Sequence, residues 1–80
     1  MNLYSLQKLK KANIVKVTDE LNDFNGDPYT HSIVYVVVNN DPKNKNITLA
    51  TNIYDKETRT TFDYKIFTNY PKTTLTKLTN

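Results

Sequence analysis

Six consecutive apolar residues, Ile33-Val34-Tyr35-Val36-Val37-Val38, constrain this chain more than anything else in it. All six side chains are β-branched or aromatic, types that fit a pleated surface and lose rotamer freedom in a helix. The run is far too short to cross a bilayer as a helix, which takes about 20 apolar residues. Both alternations are apolar, so Tyr29 to Asn39 reads as a central strand with both faces at least partly covered. The remaining elements are read around it.

Upstream, residues 2–12 read as a short amphipathic helix. Leu3, Leu6 and Leu9 share one side at helical spacing, Asn2 is placed to cap it, and Asn13 to end it. A helix this short is marginal alone and needs a sheet to pack on. Ile14 to Thr18 begins that sheet, and Asp19 to Pro28 collects the Asp, Asn, Gly and Pro of a turn. Downstream, Asn39 to Asn46 breaks the pattern at Pro42, and Ile47 to Tyr54 reads as the next strand. Its Ile47, Leu49 and Ile53 fall on one face, with Thr48, Asn52 and Tyr54 on the other. Asp55 to Thr58 is a short turn, which predicts a hairpin with Arg59 to Thr68. There Phe62, Tyr64 and Ile66 alternate with Thr61, Asp63 and Lys65, the pattern of a half-buried strand ending in Phe67. Pro71 closes it, and Thr73 to Leu78 is an optional fifth strand at an edge.

These segments predict an α+β fold: one N-terminal helix packed on a four- to five-stranded antiparallel meander sheet, with a small all-β barrel as the alternative. Residues 1–80 form a single domain, since 80 residues leave no room for a second core. One helix covers one face of such a sheet, so the other is solvated, closed into a barrel, or used as an interface. The expected common core is Leu6, Leu9, Val36, Leu49, Phe62 and Tyr64.

The chemistry-bearing residue types are sparse. The chain has no cysteine and one histidine, which points away from a thiolate nucleophile or a transition-metal centre. His31 and Ser32 are adjacent, so in a strand they point to opposite faces and form no dyad. Most carboxylates fall in predicted turns, where they cap and solubilise. Asp23 to Asp27 looks like part of a calcium loop, but Leu21 and Phe24 occupy positions where oxygen ligands are required. A single glycine, Gly26, cannot build a phosphate-cradling loop. Asn46-Ile47-Thr48 matches a glycosylation acceptor, coincidental in a chain so rich in Asn and Thr. The expectation is a protein that is not an enzyme and has neither cofactor nor metal.

Eleven Lys and Arg against eight Asp and Glu give a formal charge of +3, weaker and more dispersed than a dedicated nucleic-acid binder carries. The start of the chain has no signal-peptide or membrane-span pattern, and together with the lack of disulfides this predicts a cytoplasmic protein. Abundant Lys, Asn, Ile and Tyr indicate AT-rich coding, as in a low-GC bacterium or its phages. The leading expectation is a non-catalytic binding protein that inhibits or regulates a protein partner, encoded by a phage or other mobile element. The alternative is a small nucleic-acid-binding protein using an aromatic and basic sheet face with Lys8, Lys10 and Lys11. In either case the expected contacts are Tyr35, Tyr54, Arg59, Lys65 and Phe67 on the open face, as aromatic anchors with a charged rim. The loops Asp19–Pro28 and Asn39–Asn46 are the next candidates.

Overall fold

In a computed structural model, which describes residues 1–79, the apolar run forms the middle of an antiparallel sheet. The strands are β1 (Ile14–Asn22), β2 (Pro28–Asp41), β3 (Asn46–Ala50), β4 (Thr60–Asp63) and β5 (Thr73–Lys77). Their spatial order is β4-β3-β2-β1-β5, with β4 and β5 as unjoined edges. The sheet is therefore open, which overturns the barrel alternative. β1 to β4 form the expected meander. β5 does not continue it: the chain crosses from one edge to the other and pairs with β1, Val17 opposite Leu75.

Two short helices lie in the chain, α1 (Leu3–Gln7) and α2 (Lys65–Thr68). α1 begins as its sequence suggests, with Asn2 Oδ1 accepting from the Ser5 N–H at 2.9 Å. It is shorter than the expected 2–12 because the backbone is diverted after Lys8. The Lys10 N–H donates to Asn13 Oδ1, and Ala12 turns into the left-handed region at φ 76°. Ala12 and Asn13 both oppose Val37, the Ala12 N–H donating to its carbonyl and the Asn13 carbonyl accepting from its N–H. This is a β-bulge that starts β1 in register. α2 replaces the second half of the expected strand 59–68. Tyr64 already has helical φ and ψ, so Tyr64 and Phe67 reach the core at helical rather than strand spacing.

The core lies between these helices and one sheet face. Leu6, Leu9, Tyr64 and Phe67 meet Val15, Val17, Val37, Ile47, Leu49 and Leu75, with Tyr35, Phe62 and Ile66 half-buried against them. Val36 belongs to the opposite face, because it pairs with Ile14 and Ala50 rather than with Val15 and Leu49. Val36 and Ala50 are nevertheless buried. The loop 51–59 leaves the sheet at Ala50, with Ile53, Asp55 and Thr58 half-buried in it.

Asn40 ties the layers together. A register shift between Val37 and Asn39 turns its side chain inward. Its Nδ2 donates to the carbonyls of Leu6 at 2.8 Å and Leu9 at 2.9 Å. Its Oδ1 accepts from the Tyr64 hydroxyl. One amide thus satisfies the end of α1 and the start of α2 from a sheet position.

Candidate functional site

β2 is fourteen residues long. At about 3.3 Å per residue it runs about 40 Å, comparable to the 39 Å longest extent of the molecule. Only part of it is inside the sheet. Pairing with β3 begins at Val36, and pairing of β1 with β5 ends at Asp19. Beyond Val36 the β1–β2 hairpin continues as a projecting arm, in register from Thr18 opposite Ser32 to Asn22 opposite Pro28. β5 still backs β1 at Thr18 and Asp19, and from Glu20 opposite Thr30 onward the arm is two-stranded. Its tip is a tight loop. Asp23 Oδ1 accepts from the N–H groups of Asn25 and Asp27, and Gly26 takes φ +85° with open space where a Cβ would stand. Glycine is needed there for its backbone, the usual requirement of a three-residue hairpin loop.

The arm exposes what a sheet normally hides. Phe24 at the tip is 98% exposed, Val34 52% and Tyr29 47%, and Leu21 and Ile33 are also open to solvent. Leu21 and Tyr29 are cross-strand partners. Tyr29 and Ile33 continue the core-facing parity of Val37 and Tyr35 to where little of the sheet is covered.

Its main chain is open as well. Hydrogen bonds at the two ends of β2 fix which way each of its residues points. Val37 bonds towards β1, and at the other end the Asp23 N–H donates to the Asp27 carbonyl. On the far side of β1, Glu20 and Ile14 bond to the β5 line, through the Lys72 carbonyl and the Leu78 N–H. In an antiparallel ladder these directions alternate. Tyr29, His31, Ile33 and Tyr35 therefore bond to β1, whereas Thr30, Ser32 and Val34 direct N–H and C=O outward on the side β3 never reaches. Among the described residues no partner strand lies there. The other two edges are guarded: β4 is four residues long with Arg59 before it and Lys65 after it, and β5 is bounded by Lys72 and Lys77. Pro28 to Tyr35 contains no Lys or Arg, the residues that most often blunt an edge.

Charge divides along the same line. Five of the eight carboxylates and none of the eleven Lys and Arg lie between Val17 and Pro42. Four of the five, Asp19, Glu20, Asp23 and Asp27, are on the arm. The body holds every Lys and Arg against four carboxylates, Asp41, Asp55, Glu57 and Asp63. A modest net charge therefore conceals an acidic arm on a basic body.

The contacts expected from sequence are not brought together. Phe67 is 4% exposed and part of the core, because α2 turns it inward. Lys65 is exposed at the start of α2. Tyr35 sits on the helix-covered face, its ring 6.2 Å from that of Phe62 in a T-shaped contact. Tyr54, 89% exposed, and Arg59 lie in the loop 51–59, the Arg59 guanidinium donating to the Ile53 carbonyl at 3.4 Å. The shared open face is thus replaced by three locations. Tyr35 and the Tyr54–Arg59 loop do border the place where β2 becomes a free edge, since Ala50 is the partner of Val36. Reasoning from sequence missed Phe24, Leu21 and Val34. Leu21 and Phe24 fall in the segment Asp19–Pro28 named only as the next candidate, where they are the apolar residues among turn formers, whereas Val34 is one of a continuous apolar run and carries no such signal.

Other concavities are less built. A groove of about 780 Å³ runs between the start of α1 and α2, lined by Met1, Leu3, Lys45, Asp63, Lys65 and Thr68 among others. Among the described residues no buried side-chain polar atom lacks a partner, so no unsatisfied group points into it. No group of three or more His, Cys, Asp or Glu able to hold a metal comes together among them. His31 and Ser32 are consecutive on the exposed part of β2, and the Ser32 hydroxyl is hydrogen-bonded to that of Thr18 at 2.8 Å. No described helix is long and apolar enough to cross a membrane. Compared with known proteins, the chain matches no family model, no curated protein and no solved structure.

Proposed function

We propose that this is a non-catalytic binding domain whose β1–β2 arm engages a protein partner. The observation that carries the reading is the gathering of Leu21, Phe24, Tyr29, Ile33 and Val34, exposed, on one projecting hairpin. Exposed apolar residues scattered singly mean little, but several gathered on one protruding element, with Leu21, Tyr29 and Ile33 on one face of it, supply what an interface core requires. The arm suits recognition because its loss would leave the core residues in place. A cytoplasmic inhibitor or regulator, of the kind encoded by phages of low-GC bacteria, fits the coding bias and the small size. The acidic arm weighs against nucleic acid as its target, since phosphate contacts need cations.

Capture from a nuclease-treated low-GC bacterial lysate tests this reading, comparing three immobilised proteins. They are the parent, a Phe24→Ser/Tyr29→Ser arm variant, and a Lys8→Ala/Lys10→Ala/Lys11→Ala body variant. The account expects a protein retained by the parent and the body variant and lost by the arm variant. Equal retention by the arm variant, or capture that disappears with nuclease, would overturn it.

A further inference from the structure

We infer that the free edge of β2, from Pro28 to Val34, is a strand-accepting site for an extended, Lys- or Arg-bearing segment of a partner protein. The inference rests on the reading of the arm as the binding element and specifies how it binds. Thr30, Ser32 and Val34 present N–H and C=O outward with no strand beside them, which is the template an added strand pairs with. The site has a defined start, because β3 occupies the same line up to Ala50 opposite Val36. It is about 20 Å long, room for about six residues of incoming strand.

Charge decides the occupant. A strand laid on this edge lies about 5 Å from β2 and about 10 Å from β1, distances comparable to the Debye length of about 8 Å at physiological salt. Asp27 is on the edge strand's own approach, and Glu20, on β1, is the cross-strand partner of Thr30. No Lys or Arg lies between Lys16 and Lys43; Lys16, opposite Val34, marks the body end of the site, so the acidic field is strongest from Ser32 to the tip. A basic segment gains from all four carboxylates. A second copy would bring another acidic arm against this one. On the incoming strand, side chains of one parity would stand beside Thr30, Ser32 and Val34. Those of the other would stand beside Tyr29, His31 and Ile33, which favours a small apolar or β-branched residue between the charges.

The test uses the full ¹⁵N-labelled chain and two synthetic peptides, acetyl-Lys-Val-Lys-Thr-Lys-Val-Lys-amide and its counterpart with Glu at each Lys. The lysine peptide should slow amide exchange at Thr30, Ser32 and Val34 by at least about tenfold at saturation, the effect of one added hydrogen bond each. The glutamate peptide should leave these amides unchanged at the same concentration. Ser32→Pro deletes an outward N–H that the β1 ladder does not use, so affinity should fall by about tenfold or more with the fold retained. Ser32→Ala, which keeps the N–H, should bind like the parent. Thr30→Pro, nearer the tip, repeats the test if Ser32→Pro perturbs the hairpin. Equal binding of both peptides, or indifference to both prolines in folded variants, would overturn the inference. So would protection of the same amides by raising the protein's own concentration, because the occupant would then be a second copy. If the peptide fails while the Phe24→Ser/Tyr29→Ser variant still loses its lysate partner, strand addition falls and the binding arm stands.

Discussion

Replacing Asn40 with alanine should be among the most damaging single changes that removes no apolar atom. Asn40 donates to the carbonyls of Leu6 and Leu9 and accepts from the Tyr64 hydroxyl. The Leu6 carbonyl keeps a second partner in the Leu9 N–H at 3.2 Å, so it is only weakened. The Leu9 carbonyl and the Tyr64 hydroxyl lose the partners just named. Two polar groups stranded at about 1–3 kcal/mol each, discounted because Asn40 is only half-buried, give about 2–3 kcal/mol. For a domain of this size that lowers the melting temperature by about 10–20 °C. Thermal unfolding by circular dichroism reads it directly. Asn40→Leu should be nearly as costly, because it restores volume but no donor, and that comparison separates hydrogen bonding from packing. An Asn40→Ala protein melting within about 2 °C of the parent would refute the claim that this amide joins the two layers.

Three further outcomes follow from the core and its polar contacts. Phe67→Ala should cost about 3–5 kcal/mol and be read as unfolding, not as weakened binding, because the ring is buried. Burial, reinforced by the charge of Asp41, raises the Tyr64 hydroxyl above the ordinary tyrosine range. Its contribution is therefore whole below about pH 10 and is lost as pH rises through the folded value. Tyr64→Phe should cost about 1 kcal/mol at neutral pH and flatten the alkaline decline, checked by denaturant titration across pH. Ala12→Gly should stabilise by up to about 1 kcal/mol, since Ala12 occupies the left-handed region at φ 76°. A denaturant midpoint unchanged or lowered would contradict that.

Where one face is buried, the sequence was legible. Ile47 and Leu49 share the buried face that alternation gives them, and Leu6 and Leu9 meet them. The run Ile33–Val38 is apolar on both alternations, so Val37 rather than the expected Val36 joins that core. The C-terminal third was less legible because two periods compete in few residues. Phe62, Tyr64 and Ile66 fit period two, whereas Tyr64 and Phe67 fit a helical turn, and a four-residue helix is too short for its period to stand out. The route of β5 to the far edge depends on which edge has a free ladder, a property of the assembled sheet. The arm was hidden for a different reason. Asp19, Glu20 and Asn22 are poor strand formers, so the sequence there suggests a ten-residue turn, yet only 23–27 turns. Strand residues exposed on both faces carry no alternation to detect, and charge there costs little. The candidate contacts do not share one face for a related reason: Arg59, Lys65 and Phe67, expected on one strand, are divided between a loop and a helix.

The free edge of β2 is the central claim, and amide hydrogen exchange of the isolated protein tests it without any partner. If β2 bonds on one side only, exchange must alternate along it. Ile33 and Tyr35, donating to β1 where β5 backs the ladder, should exchange slowly. Ser32 and Val34, facing solvent between them, should exchange near the rate of an unstructured chain. Val37, which donates to the Asn13 carbonyl, should again be slow. Uniform protection from Ser32 to Tyr35 would mean that the edge is already paired. Uniformly fast exchange across the same residues would mean that the arm is not a hairpin, and either result contradicts the account.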